Sequence, residues 1–384
     1  MILSLLVYTI LMSTMYCFLL KASKRRFEGG NLFFRKDIII PIVLFAVVMG
    51  LRYDVGTDYM NYFDAYVGRS FENERFEVGY RALVWFCHAL NFHYVFYFAI
   101  AAVIPVFLYY KTFERQNYLY PLLTLMLFLN GEYWNWMNVM RCSISICVFL
   151  YSITYVANRD FKKYYLLAFI ALLFHKSSVI IFVIYPFFLK EVDYLKNRLL
   201  QLGLFVSMFF VARGFETLFL SYSHLITFYQ EMLGGSEGSY GSYSLEMLYE
   251  EMGNEARSNT GLVKFFKYGL WLLMIYYSNQ MKTFYNNYRF VILYTLFFAG
   301  SFIAGVLPEG AISLTRPFRF FYIFQTIMYV HLLYYLKCQY KKQIPRILYY
   351  GILFAFFVIF YMNMVLAGNK AHVWYQFFWA NPVT

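Results

Sequence analysis

Apolar runs of membrane length alternate with short polar segments along this chain, and that alternation predicts helices throughout. The runs 2–20, 37–51, 94–110, 118–131, 142–157, 199–219, 263–278, 290–307, 319–336 and 347–367 each read as one membrane segment. The run 164–190 is broken by His175-Lys176-Ser177-Ser178 and reads as two half-length arms. A hairpin at that break places the basic loops 190–198, 279–289 and 337–346 on the same side as the basic loop 21–36. An unbroken helix would put the stretch KCQYKKQIPR outside, against the positive-inside bias. The expectation is therefore an all-α polytopic membrane protein of about 12 membrane segments, with a short-helix hairpin at His175 and both termini outside. Arms of about 12 residues span ~18 Å of helix, too short for a hydrocarbon core of ~30 Å. The hinge should then lie in a water-accessible cavity below the outer surface.

One integral membrane domain is expected over 1–384, with two outer-face loops. The loop 52–93 carries four arginines and six acids over Arg52–Arg81, and includes a partly apolar, interfacial helix at 78–91. The loop 221–262 contains GGSEGSYGSYS and reads as a flexible connector, with a substrate lid as the alternative.

Composition agrees with membrane insertion: 61% of residues are hydrophobic and 14% charged, against about 25% charged in soluble domains. The 24% aromatic content exceeds what interfacial belts need, so some tyrosines are expected to line a wet cavity. Positive-inside loops account for much of the net charge of +12, and no nucleic-acid partner follows from it. Cys17, Cys87, Cys142, Cys147 and Cys338 show no metal-like spacing, and no disulfide framework is expected. The first 20 residues lack a basic start and a small-residue cleavage site, and read as an anchor rather than a signal peptide.

In this topology Arg141, the His175–Ser178 break, Arg316 and Arg319 sit at outer helix ends, beside helix N-termini that favour anions. With Arg52 and Lys176 they form a candidate phosphate-binding set. Each arginine could equally meet lipid head groups or an outer acid. His175 is an ionisable group in an apolar hairpin and a candidate general base; a hydrogen-bonded structural histidine is the alternative. Asp58 could position a sugar hydroxyl or act as base. Glu77 could do the same, or simply pair with Arg81 four residues on. Tyr59, Tyr62 and Tyr66 share one helical stripe, which reads as packing or as a sugar platform.

Taken in order, Arg52-x3-Gly56-Thr57-Asp58-Tyr59-x2-Tyr62, Glu77-x-Gly79-Tyr80-x2-Leu83, Asn138-x2-Arg141, His175-Lys176-Ser177-Ser178 and Arg319-x2-Tyr322 resemble the EpsG family of bacterial exopolysaccharide proteins. The resemblance covers roughly residues 50–325 and departs at Cys142 and Ser178, where the family often has Gln and a small alanine-like residue. Many members look like Wzy-type polysaccharide polymerases. The resemblance implies a GT-C-like arrangement and transfer of a growing glycan from an undecaprenyl-pyrophosphate carrier to the sugar of another lipid-linked repeat unit. The site would face outward from the bacterial cytoplasmic membrane, with no nucleotide sugar, cofactor or metal, and with a chain-length regulator as an allowed partner. His175, Asp58 and Glu77 would be catalytic. Arg52, Arg141, Lys176, Arg316 and Arg319 would hold the pyrophosphate, and Tyr59, Tyr62, Tyr80 and Asn138 the sugar. A flippase or other transporter, a ligase or lipid-linked-sugar glycosyltransferase, and a non-catalytic export subunit are the competing readings.

Overall fold

The computed structural model describes residues 1–25, 35–69, 76–221, 261–307, 315–366 and 374–380. The described residues are all-α, with fifteen α-helices and one isolated antiparallel bridge between Arg52 and Phe377. Among the described residues, five helices are long and apolar enough to cross a membrane: Ile2–Ser23 (α1), Tyr94–Thr112 (α5), Met140–Ala157 (α8), Tyr288–Val306 (α13) and Gln343–Leu366 (α15). This is a multi-pass helical membrane protein. The other expected segments are shorter, as in Lys36–Gly50 (α2), Tyr120–Leu129 (α6) and Phe161–Phe174 (α9), or more polar, as in Arg198–Ser221 (α11), Gly261–Tyr285 (α12) and Arg319–Cys338 (α14). The expected outer loop 221–262 lies almost wholly outside the described residues.

The chain divides into two compact units. The first holds Met1–Thr154, Tyr165–His175 and Leu333–Thr384. Here α1 packs on α2 and α6, and α2 packs along α5. The expected interfacial helix is Val78–Ala89 (α4), which buries Tyr80, Val84 and Cys87 at helical spacing and leaves Trp85 and Phe86 exposed. Tyr59–Val67 (α3) turns its tyrosine stripe inward, and α3, α4 and α5 share a core of Tyr59, Tyr62, Phe63, Tyr66, Tyr80, Tyr94, Tyr97 and Phe98. Packing, rather than an open platform, is the use of that stripe. Between α6 and α8 the chain forms a short helix, Glu132–Asn138 (α7).

Buried tyrosines satisfy their hydroxyls inside the protein. Tyr80 and Tyr97 hydroxyls lie 2.7 Å apart, Tyr59 donates to the Arg52 carbonyl at 3.0 Å, and Tyr110 meets Thr124 at 3.0 Å. Each contact removes the cost of an unmade hydrogen bond while the ring adds apolar area.

A C-terminal strap closes this unit. Tyr53 N–H donates to Gln376 O and Phe378 N–H to Leu51 O, both at 2.9 Å. Tyr375 donates its hydroxyl to Val48 O at 2.6 Å and its N–H to Ser4 Oγ at 2.8 Å.

The second unit holds Tyr155–Tyr164 and Lys176–Leu332, where α11 packs on α12 and α13. The Tyr164 hydroxyl donates to Ile181 O at 2.6 Å, and its ring centroid lies 5.2 Å from that of Tyr185. Helix continuing in one direction would separate residues 164 and 181 by ~26 Å, so the chain reverses at His175. The return arm is tighter than expected. It is a 3-10 helix, Lys176–Val183, followed by one α-turn, Ile184–Phe187 (α10). Five β-branched residues and Pro186 in this arm disfavour regular α-helix.

Candidate functional site

After α2 the chain turns through Asp54 (φ 49°) and Gly56 (φ 106°). Glycine suits the second position, because a positive φ of that size strains any side chain. The turn brings Thr57 and Asp58 to Asn138, whose amide oxygen accepts from the Thr57 hydroxyl at 2.8 Å and from Asp58 N–H at 2.9 Å. Asn138 ends α7 and Arg141 is the second residue of α8. The clamp therefore fixes the helix start from which Arg141 projects.

Glu77 precedes α4, and Gly79 sets how closely that helix approaches α9. A Cβ on Gly79 would stand 2.8 Å from Leu173 O and 3.0 Å from Leu173 C. The first turn of α4 thus rests directly on the last turn of α9. The Ser145 hydroxyl on α8 donates to Ala171 O on α9 at 2.8 Å.

Three sequence-distant side chains meet where these helix ends converge. Arg141 Nη1 donates to Glu77 Oε2, and Glu77 Oε1 lies 3.3 Å from His175 Nδ1. Their side chains are 18%, 9% and 13% exposed in the order Arg141, Glu77, His175. The Arg141 guanidinium lies 5.1 Å from the Phe76 ring centre, 5.7 Å from Tyr80 and 5.9 Å from Tyr62. Those rings favour its charge from their faces. Arg141 Nε makes no hydrogen bond among the described residues. Burial opposes ionisation of Glu77, but the His175 ring 3.3 Å away and the charge of Arg141 prevail and hold its carboxyl down at about 2. Glu77 is a carboxylate at any physiological pH.

Of the other nominated residues, some border this cluster and some lie apart from it. Asp58 is half-buried at the start of α3, and its charge acts with those of Arg141 and Glu77 on the Tyr62 phenol. Tyr59, Tyr62 and Tyr80, expected at a sugar, are 0%, 4% and 1% exposed within the aromatic core. Arg52, expected at a pyrophosphate, is 1% exposed. Its Nη2 donates to Met137 O at 2.7 Å, and its guanidinium lies 5.6 Å from Tyr59 and 5.5 Å from Phe98. His175 closes α9, its N–H bonded to Ala171 O at 3.0 Å, instead of opening a helix.

Lys176, Ser177 and Ser178 begin the return arm in the second unit, with Lys176 exposed and both serines buried. Arg316 lies in a 3-10 turn, Arg316–Phe318, and Arg319 opens α14. Among the described residues, no three His, Cys, Asp or Glu side chains gather as a metal ion would require. Sequence reasoning missed the strap 374–380 and Ser145. Gly79 was visible only as part of a motif.

An all-α, multi-pass membrane protein with a buried carboxylate joining an arginine to a histidine is the class these features define. The chain belongs to the EpsG family, whose family model matches residues 38–379. That membership gives it a role in exopolysaccharide biosynthesis. No curated protein and no solved structure matches it.

Proposed function

We propose that this protein polymerises lipid-linked oligosaccharide repeat units, transferring glycan from an undecaprenyl-pyrophosphate donor to a sugar hydroxyl of a second lipid-linked unit. The reaction is placed on the outer face of the bacterial cytoplasmic membrane. The observation that carries the proposal is the bridge from Arg141 through Glu77 to His175. A carboxylate held ionised beside Nδ1 keeps a proton on that nitrogen, which leaves Nε2 to accept one from the acceptor hydroxyl. The acceptor oxygen then bonds to the anomeric carbon of the donor as the bond from that carbon to the pyrophosphate oxygen breaks. His175 holds the proton, Glu77 stabilises the imidazolium, and the pyrophosphate departs with the electron pair. Arg141 supplies a fixed positive charge for that growing charge.

Glu77 orients and stabilises in this scheme, because a carboxyl with so low an affinity for protons is a poor base. Asp58 and Asn138 act through the clamp that fixes the α7–α8 junction ahead of Arg141. Lys176, Arg316 and Arg319 lie in the second unit and take no part in the step written here.

The test is a gel of surface and lipid-linked glycan from the source bacterium with this gene deleted. Loss of the long-chain ladder, with single repeat units still made and displayed, is the expected result. Loss of all displayed glycan would instead mean a flippase, a ligase or an earlier transferase, and an unchanged ladder would overturn the proposal.

A further inference from the structure

Arg52 is a charged side chain enclosed in the first unit, and among the described residues no carboxylate reaches it. The neighbours that act on its charge are Tyr59, Tyr8, Tyr375 and Tyr97. Burying a cation without an anion is costly unless dipoles and ring faces compensate. Here the Met137 carbonyl at 2.7 Å and the faces of Tyr59 and Phe98 do so. Further weak contacts come from Met49 and Met140 sulfur atoms at 3.9 Å and 3.7 Å.

These contacts place Arg52 at a crossing of the elements that build the site. Its backbone pairs with Phe377 in the C-terminal strap, and its carbonyl accepts from Tyr59 on α3. Its guanidinium holds the carbonyl of Met137, at the junction of α7 and α8. The next residue is Asn138, which receives the Thr57–Asp58 turn, and three residues further comes Arg141. We infer that Arg52 is a positioning residue: it fixes the α7–α8 junction and so aims Arg141, without itself touching substrate.

This inference rests on the proposed polymerase reaction, and the experiment separates the two. Glycan extension is measured in membranes carrying Arg52→Lys, Arg52→Met, Arg141→Lys and each double variant. The probe is the lipid-linked repeat unit extracted from the deletion strain. A group acting through another loses its effect once the other is disabled. Arg52→Met should lower kcat ~100-fold with KM changed less than ~3-fold, the mark of an interaction made only in the transition state. Arg52→Lys, which keeps the cation and folds most safely, should lower kcat ~10-fold by the same route. In the Arg141→Lys background both losses should shrink to less than ~3-fold. Losses that multiply across the two sites, or a KM that rises as kcat holds, would overturn the positioning role and put Arg52 on the substrate. Full activity of Arg141→Lys and Arg141→Ala would overturn the polymerase site and the inference together.

Discussion

Two largely enclosed ion-pair clusters, one in each unit, are built to different ends. In the second unit Lys282 Nζ lies 2.8 Å from both Asp193 carboxylate oxygens and 2.8 Å from Leu195 O, so its three donors are all engaged. Around it Gln201 donates to Leu195 O at 2.6 Å and accepts from the Tyr294 hydroxyl at 2.6 Å, and the Lys282 ammonium lies 4.9 Å from the Tyr294 ring centre. That network is complete and works as a brace. In the first unit Glu77 holds Arg141 through one nitrogen and His175 through Nδ1, while Arg141 Nε has no hydrogen-bond partner among the described residues. A satisfied network rigidifies a fold, whereas an incompletely satisfied one asks for a reason beyond stability.

The largest expected effect falls on chemistry at the incomplete cluster alone. His175→Gln should slow ladder formation by ~10²–10⁴-fold, the range for losing a general base, with membrane levels of the protein unchanged. A normal polymerisation rate would show that His175 is not the base and make Asp58 the next to test. At the complete cluster the effect should be on stability instead. Lys282→Ala strands Asp193 with a side chain 23% exposed, which should cost ~2 kcal/mol, seen as a lower Tm in detergent. The rate per folded molecule should stay within about twofold. If that rate instead falls with His175→Gln, the contrast between brace and site is wrong.

How much of this was legible differs by residue. Apolar runs located α2, α5 and α8 to within two or three residues, because membrane spans are set by local hydropathy. Glu77, Arg141 and His175 each stood out as ionisable groups beside apolar helices, but nothing local shows that they touch. The sequence pairs Glu77 most simply with Arg81, while the structure gives its two carboxylate oxygens to Arg141 and His175. Arg52 and Arg141 look alike in sequence, each at the end of an apolar run. They part company because the strap 374–380 pairs with residues 51–53, and such a distant pairing leaves no periodic trace. The tyrosine stripe of α3 was readable as a stripe. Its inward direction depended on α4 and α5.

Backbone approach offers a second way to sharpen the contrast, with a smaller effect. Gly79→Ala sets a methyl group 2.8 Å from a main-chain oxygen, which cannot rotate away, so α4 must lift from α9. Geometry at a reacting group is sensitive to shifts of that size, and the rate should fall ~10–100-fold. Gly203→Ala in α11 meets nothing within 4 Å and should leave rate and Tm unchanged or slightly improved. Equal behaviour of the two alanines would mean that contact between α4 and α9 does not hold Glu77 to His175.

The smallest expected effect is the most specific for how the cluster divides its labour. Glu77 has its carboxyl lowered to about 2 in the folded protein, against ~4.3 in an unfolded chain. A depressed carboxyl stabilises the fold fully above the unfolded value and loses that contribution as pH falls towards the folded one. The stability difference between the wild type and Glu77→Gln should therefore be flat from pH 8 to 5. It should shrink by ~0.4 kcal/mol on reaching pH 4.3 and by ~1.4 kcal/mol at pH 3.3. Thermal melts of both proteins in one detergent across that range measure it. A difference that already shrinks between pH 7 and 6 would mean that Glu77 exchanges its proton near neutrality. It would then be the acceptor of the hydroxyl proton, with His175 as its support, and the two roles assigned within the cluster would have to be exchanged.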